Sequence, residues 1–128
     1  MTLRIFILPT QYDIIDFRFG RRPENLLCRD FATTAELQAY EDGIDAIDDE
    51  YIRIDDLKTT GTQVTYTRRS EDPEIESVVT AVDREFKTPA EAAAYCRGLN
   101  DAEGLASPLM IDDTDERFEQ LKIWAGVV

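Results

Sequence analysis

Carboxylates are the side chains with which this 128-residue chain is best equipped to do chemistry: 27 Asp and Glu face 14 Lys and Arg, and histidine is absent. Paired acids in a cleft can act as general acid and base or hold a divalent cation. Without histidine, a Ser-His-Asp relay, an imidazole base and an imidazole metal ligand are excluded. The acid runs also lack the spacings these chemistries need. Asp45-Ala46-Ile47-Asp48-Asp49-Glu50 does not carry the D-x-D-x-D-G order that wraps oxygens round calcium. Asp113-Thr114-Asp115-Glu116-Arg117 breaks, at Arg117, the order D-x-D-x-T or D-x-D-x-V that presents a nucleophilic aspartate. The 6 glycines are scattered, and none builds a phosphate loop.

The two cysteines, Cys28 and Cys96, form no C-x-x-C pair, which weighs against a redox motif or a four-thiolate zinc site. Cys96 precedes Arg97, which would lower its pKa, but no orienting partner is evident, and Cys28 reads as a small buried hydrophobe. The expectation is therefore no catalytic residue, no metal and no cofactor. Carboxylate chemistry stays open only because acids are abundant.

Charge is unevenly placed. Residues 1–40 sum to zero, 41–57 to −7, 58–100 to −1 and 101–128 to −5, giving −13 in all. A field of this sign repels polyanions and argues against nucleic-acid binding by broad phosphate neutralisation. Asp42, Asp45, Asp48 and Asp49 in one tract, and Asp112, Asp113, Asp115 and Glu116 in the other, are candidates for docking a basic protein. The plainer reading is a solvated face that keeps the chain soluble. Arg21, Arg22, Arg68 and Arg69 are expected at or near hairpin tips, where they could grip an anion or pair with a second copy, or simply stand in water beside Glu24 and Glu71.

The elements that must position these charges repeat. Asp30 to Ile44 aligns without gaps on Glu85 to Leu99, at an offset of 55, with the shared pattern acid-F-x-T-x-A-E-x-x-A-Y-x-x-G-aliphatic. Thr33 and Thr88 read as N-caps, with Glu36 and Glu91 three residues on, and Pro89 falls at the favoured first helical position. Ala35, Ala39 and Gly43, like Ala90, Ala94 and Gly98, recur every four residues and predict a close neighbour along one face. Each glycine is read as lying within its helix, because apolar residues continue in phase beyond it.

Strands are predicted at Leu3 to Leu8, Asp13 to Phe19, Leu26 to Phe31, Gln63 to Arg69 and Ile75 to Phe86, with Tyr51 to Leu57 favoured as another. The alternation in Val64-Thr65-Tyr66-Thr67 predicts one buried and one wet face. Pro108 to Ile111 reads as a connector and Asp113 to Ala125 as a closing helix capped by Asp113 or Thr114.

Together these give one α+β domain over residues 1–128: half-repeats 1–50 and 51–106 related by a pseudo-two-fold and sharing one antiparallel sheet, then a C-terminal helix within 107–128. The functional expectation is a small, acidic, non-catalytic interaction domain that binds a basic protein, associates with itself, for example as a homodimer, or does both. The alternative is a carboxylate-based enzyme, or a small-ligand or divalent-metal binder, at a groove between the halves. No run approaches the ~20 apolar residues of a membrane span, and the N-terminal apolar run is too short for a signal peptide. A cytoplasmic setting is expected.

Overall fold

The computed structural model describes residues 2–105 and 108–127. In chain order the elements are β1 (Leu3–Leu8), α1 (Gln11–Arg18), β2 (Leu27–Phe31), α2 (Thr34–Asp45), β3 (Ile52–Thr60), β4 (Gln63–Ser70), β5 (Thr80–Glu85), α3 (Pro89–Ala102), β6 (Leu109–Ile111) and α4 (Phe118–Ala125). The architecture is α+β, with two separate antiparallel sheets ordered β2-β1-β6 and β3-β4-β5.

The helices α2 and α3 begin in the same way. Thr33 and Thr88 have extended backbones, and their hydroxyls accept from the backbone N–H of Glu36 and Glu91, both at 3.1 Å. Each glutamate reaches back one residue beyond the cap, accepting from Ala32 N at 2.9 Å and Lys87 N at 3.0 Å. Each cap hydroxyl contributes about 1 kcal/mol to its helix.

Gly43 and Gly98 lie inside these helices, as expected. A Cβ added to Gly43 would fall 2.2 Å from the carbonyl oxygen of Tyr95 and 3.0 Å from Leu99 N; one added to Gly98 would fall 2.2 Å from the carbonyl oxygen of Tyr40 and 3.0 Å from Ile44 N. Each of these contacts is turned into another by exchanging position i with i+55. The two backbones touch at a crossing that only glycine permits.

The sheets obey the same exchange. Within each, the middle strand pairs with the edge strand that leads into a helix: β1 with β2, where Leu3 faces Phe31, and β4 with β5, where Phe86 N donates to Thr62 O at 2.9 Å. On the far side β6 takes beside β1 the place that β3 takes beside β4. Both middle strands thus have two partners. The expected single shared sheet is not formed, because the only edges left belong to outer strands, and β2 and β5 guard theirs with Arg29 and Asp30, and with Asp83, Arg84 and Glu85.

One core holds the inner faces of both sheets against α2 and α3, including Ile5, Ile7, Tyr40, Ile44, Val64, Tyr66, Tyr95 and Leu99. The opposite face of β2-β1-β6 is covered as well: Phe6, Leu8 and Ile111 pack with Ile14 and Phe17 of α1 and Leu121 of α4. β1 is therefore apolar on both faces, which explains its unbroken run Ile5-Phe6-Ile7-Leu8. The outer face of β3-β4-β5 has no such cover, and Thr65, Thr67, Lys58, Ala81 and Asp83 line a shallow depression there. The predicted alternation in β4 holds: Val64 and Tyr66 are buried, Thr65 and Thr67 only partly so.

Several elements depart from expectation. Asp13 to Phe19 is helix rather than strand: its β-branched and aromatic content suggested a strand, but Thr10 caps a helix, accepting from Asp13 N at 3.2 Å. Asp13 in return accepts from Thr10 N at 3.2 Å and from Asn25 N at 3.1 Å while 1% exposed. Hence β1 and β2 are joined by a helix, not a hairpin. The strand expected over 75–86 begins only at Thr80. Leu109 to Ile111 is a strand rather than a connector, held by pairing with β1. The closing helix starts at Phe118, after a turn in which Asp112 accepts from Thr114 N at 3.0 Å, and neither Asp113 nor Thr114 caps it.

Candidate interaction site

Asp112, just past β6, lies near enough to Glu41 of α2 for their charges to act on one another. Burial raises the Glu41 carboxyl above its ordinary range, and the neighbouring charges of Asp45, Asp112 and Asp42 add to the shift. One tract trailing α2 and one trailing β6 thus feel one another's field. Asp112 itself is held below the usual carboxylate range by the hydroxyl and backbone N–H of Thr114, opposite in direction to the shift at Glu41.

Beside this junction is a cleft of about 420 Å³. Leu3, Ile5, Leu37 and Phe118 give it an apolar lining, and Arg4, Lys122, Asp112 and Asp113 supply charge. It lies between the first half and the C-terminal segment rather than between the halves, where backbone contact at Gly43 and Gly98 closes the helix pair. Arg4 is engaged by Asp30 at 2.7 Å, and Lys122 by Glu119 at 3.3 Å.

The predicted acids fall into different environments. Asp42 accepts from Gln38 at 3.0 Å and lies 3.7 Å from Arg84; Asp48 pairs with Arg68 at 2.6 Å. Asp49 accepts from Tyr51 N at 2.7 Å, and Asp115 accepts from Arg117 N at 2.8 Å. Asp45, Asp113 and Glu116 are exposed and make no salt bridge among the described residues. Also among the described residues, no group of three or more carboxylate or thiol side chains is placed to hold a metal ion.

Arg68 and Arg69 lie near the closed end of the β4-β5 hairpin, where Arg68 faces Thr80 in the last pair before the connection, whereas Arg21 and Arg22 do not lie at a hairpin. Arg21 and Arg22 follow α1, and Arg21 pairs with Asp16 at 3.0 Å while covering the Phe19 ring. Arg68 and Arg69 end β4 opposite the start of β3. There Arg69 bonds Asp55 at 2.6 Å and Glu71 at 2.7 Å, which leaves little charge for an anion. The tip of the β3-β4 hairpin is Gly61, with φ 61°.

A charged network that the spacing rules did not single out lies at the core's edge. Arg29 bonds Asp101 at 2.9 Å and 3.2 Å, and the Tyr40 hydroxyl donates to the same carboxylate. Burial pushes the Asp101 carboxyl up, but the hydrogen bonds from Arg29 and Tyr40 outweigh it and hold the group below its ordinary value. Arg84, at i+55 from Arg29, instead stacks over Phe86 and Tyr95, and the Tyr95 hydroxyl meets that of Tyr66 at 2.6 Å. Extending the gapless self-alignment one residue upstream of Asp30 would have revealed Arg29 and Arg84 as a matched pair. Glu103 accepts from Ile54 N at 2.9 Å while remaining exposed. Asp101 therefore does not contribute to an outward acidic face.

Comparison with known protein families, curated proteins and solved structures finds no match.

Proposed function

We propose that this chain is a non-catalytic interaction module that engages a basic protein through the acidic junction of Asp45, Asp112, Asp113 and Glu116. The observation carrying this reading is the electrostatic coupling of Glu41 to acids from both tracts, which makes one negative surface of two stretches distant in sequence. Preorganised charge of one sign raises the encounter rate with an oppositely charged partner and orients it. The matched helices further support origin by tandem copying of one half. A cytoplasmic setting fits two unpaired cysteines; no helix among the described residues is long and apolar enough to cross a membrane.

The test is capture of partners from low-salt lysate, with elution by rising salt. Retained proteins are expected to be basic and to be released as exposed charges are screened over a Debye length of about 8 Å at physiological salt. The triple variant Asp45→Lys, Asp113→Lys, Glu116→Lys should lose them, whereas Asp72→Lys, Asp83→Lys, Glu85→Lys, with the same change in net charge, should retain them. Equal loss in both variants would reduce the interaction to a non-specific field.

The apolar cleft favours a second reading, a binder of small ligands with an apolar body and a charged end. Stabilisation of the chain by such a ligand, abolished by Leu37→Asp, would favour it; a screen of amphipathic acids and amines without any thermal shift would count against it.

A further inference from the structure

Two exposed apolar surfaces of opposite local charge remain outside the acidic junction. The first is the outward face of α1. Ile14 and Phe17 are buried, yet Tyr12 is 81% exposed, Ile15 43% and Phe19 73%. Their i, i+3, i+7 spacing places them on one stripe, the arrangement with which a helix anchors itself to a partner. Arg18, Arg21 and Arg22 follow at its C-terminal end; Asp13 is buried and Asp16 is paired with Arg21. With the exposed Glu24 beside Tyr12 and Ile15 set against Arg18 and Arg22, the exposed, unpaired groups here keep one positive charge in excess on a chain of net charge −13.

The second surface is the segment from Glu71 to Val79, which joins β4 to β5 just as α1 joins β1 to β2. It carries Glu71, Asp72, Glu74 and Glu76 and no cation, while Ile75, Val78 and Val79 are 58%, 67% and 63% exposed. Ile75 to Val79 reaches at most about 13 Å and the α1 stripe spans about 10 Å, so the segment is long enough to cover the stripe. Both rows are exposed in the same chain, so the chain does not satisfy one with its own other.

We propose that α1 of one copy docks the acidic, apolar segment 71–79 of a second copy, joining copies head to tail. Tyr12, Ile15 and Phe19 receive Ile75, Val78 and Val79, and Arg18 and Arg22 face Glu74 and Glu76. The contact is heterologous, so a pair of copies retains one unused surface of each kind, one on each copy, and the assembly grows into a ring or an open chain. Its small size makes it weak and dependent on concentration. These residues are not those of the acidic junction, so the inference stands or falls independently of the function proposed above.

Sedimentation equilibrium of the full chain, from micromolar to near-millimolar concentration, tests it. At low salt the mean mass should rise above 14.6 kDa with concentration and should fall back as salt is added. Arg18→Glu with Arg22→Glu, and separately Glu74→Lys with Glu76→Lys, should each weaken association about tenfold or more, because each leaves two surfaces of like sign. An equimolar mixture of these two variants should regain it, since each surface then finds its opposite on the other variant. Phe19→Ser should abolish association without changing charge, and circular dichroism establishes that every variant is folded. A wild-type chain that keeps its single-chain mass throughout, a Glu74→Lys, Glu76→Lys variant that associates like wild type, or a mixture without recovery would overturn the proposal.

Discussion

Replacing Gly43 by alanine sets two magnitudes against each other. In an isolated helix the change is favourable by about 1 kcal/mol, because alanine loses less backbone entropy. At this crossing the new methyl would lie 2.2 Å from the carbonyl oxygen of Tyr95. Carbon and carbonyl oxygen approach to about 3.3 Å, so α2 and α3 must separate by about 1 Å. The obstacle is peptide backbone and no rotamer change removes it. Separation loosens the packing round Tyr40, Tyr95, Ile44 and Leu99, all buried.

Overpacking of this kind costs about 3 kcal/mol, which after the helix gain leaves a net loss of about 2 kcal/mol. Gly98→Ala should cost the same, since its contacts are the i+55 image. The double variant should lose markedly less than the sum, because one separation accommodates both methyl groups, with a coupling of about 1–2 kcal/mol. Urea unfolding followed by far-ultraviolet circular dichroism and Trp124 fluorescence measures all three. A Gly43→Ala chain as stable as wild type, or two strictly additive losses, would refute the contact geometry.

Asp101→Asn should cost about 2 kcal/mol near neutral pH, because Arg29 keeps its charge in a largely shielded place without its carboxylate; the two side chains are 18% and 12% exposed. The Asp101 carboxyl is held below its ordinary 3.8, so its contribution is present above that value and lost as pH falls through the lowered one; the gap between wild type and variant should close in acid. Burial, with the Tyr95 hydroxyl, holds the Tyr66 phenol above its ordinary 10.0, and burial, with Asp101, does the same to Tyr40, so their contribution is complete below that pH and declines above it; Tyr66→Phe should reduce this alkaline decline in a pH series of melting curves and leave the part due to Tyr40. Asp13→Ala removes the carboxylate that bridges Thr10 and Asn25, and should lower stability by about 2 kcal/mol as read by urea midpoint; an unchanged midpoint would show that α1 does not depend on that bridge.

The two matched helices were legible because each feature is local: a threonine cap, a glutamate three residues on, small residues every fourth position. Helix α1 was not, although Thr10 and Asp13 have cap spacing. Its Ile14-Ile15 and Phe17-x-Phe19 carry apolar groups on two faces of a short helix, and that content imitates a strand. The division into two sheets was hidden because pairing partners are not written locally. Nothing in Leu109-Met110-Ile111 says that it lies beside Phe6, Ile7 and Leu8. The acids were legible as tracts but not as individuals. Whether a carboxylate faces water, as Asp113 does, or turns to a guanidinium and a phenol, as Asp101 does, is decided by what β2 and α2 bring to it.

Equivalent positions have diverged where the chemistry differs most. Tyr40 and Tyr95 both stack near a phenylalanine at i−9, Phe31 and Phe86, and both lie at the helix crossing. Tyr40 gives its proton to a carboxylate held by Arg29, whereas Tyr95 shares one with Tyr66 and leaves Arg84 to stack on its ring. Acid weakens the first arrangement by protonating Asp101, and alkali weakens both, because burial holds the Tyr40 and Tyr66 phenols above their ordinary value. A strictly symmetric pair of sites would respond to acid on both sides of the helix pair at once. Here the Arg29–Asp101 pair exists only on the side that β2 covers, so of these two sites acid loosens that one alone while alkali acts on both.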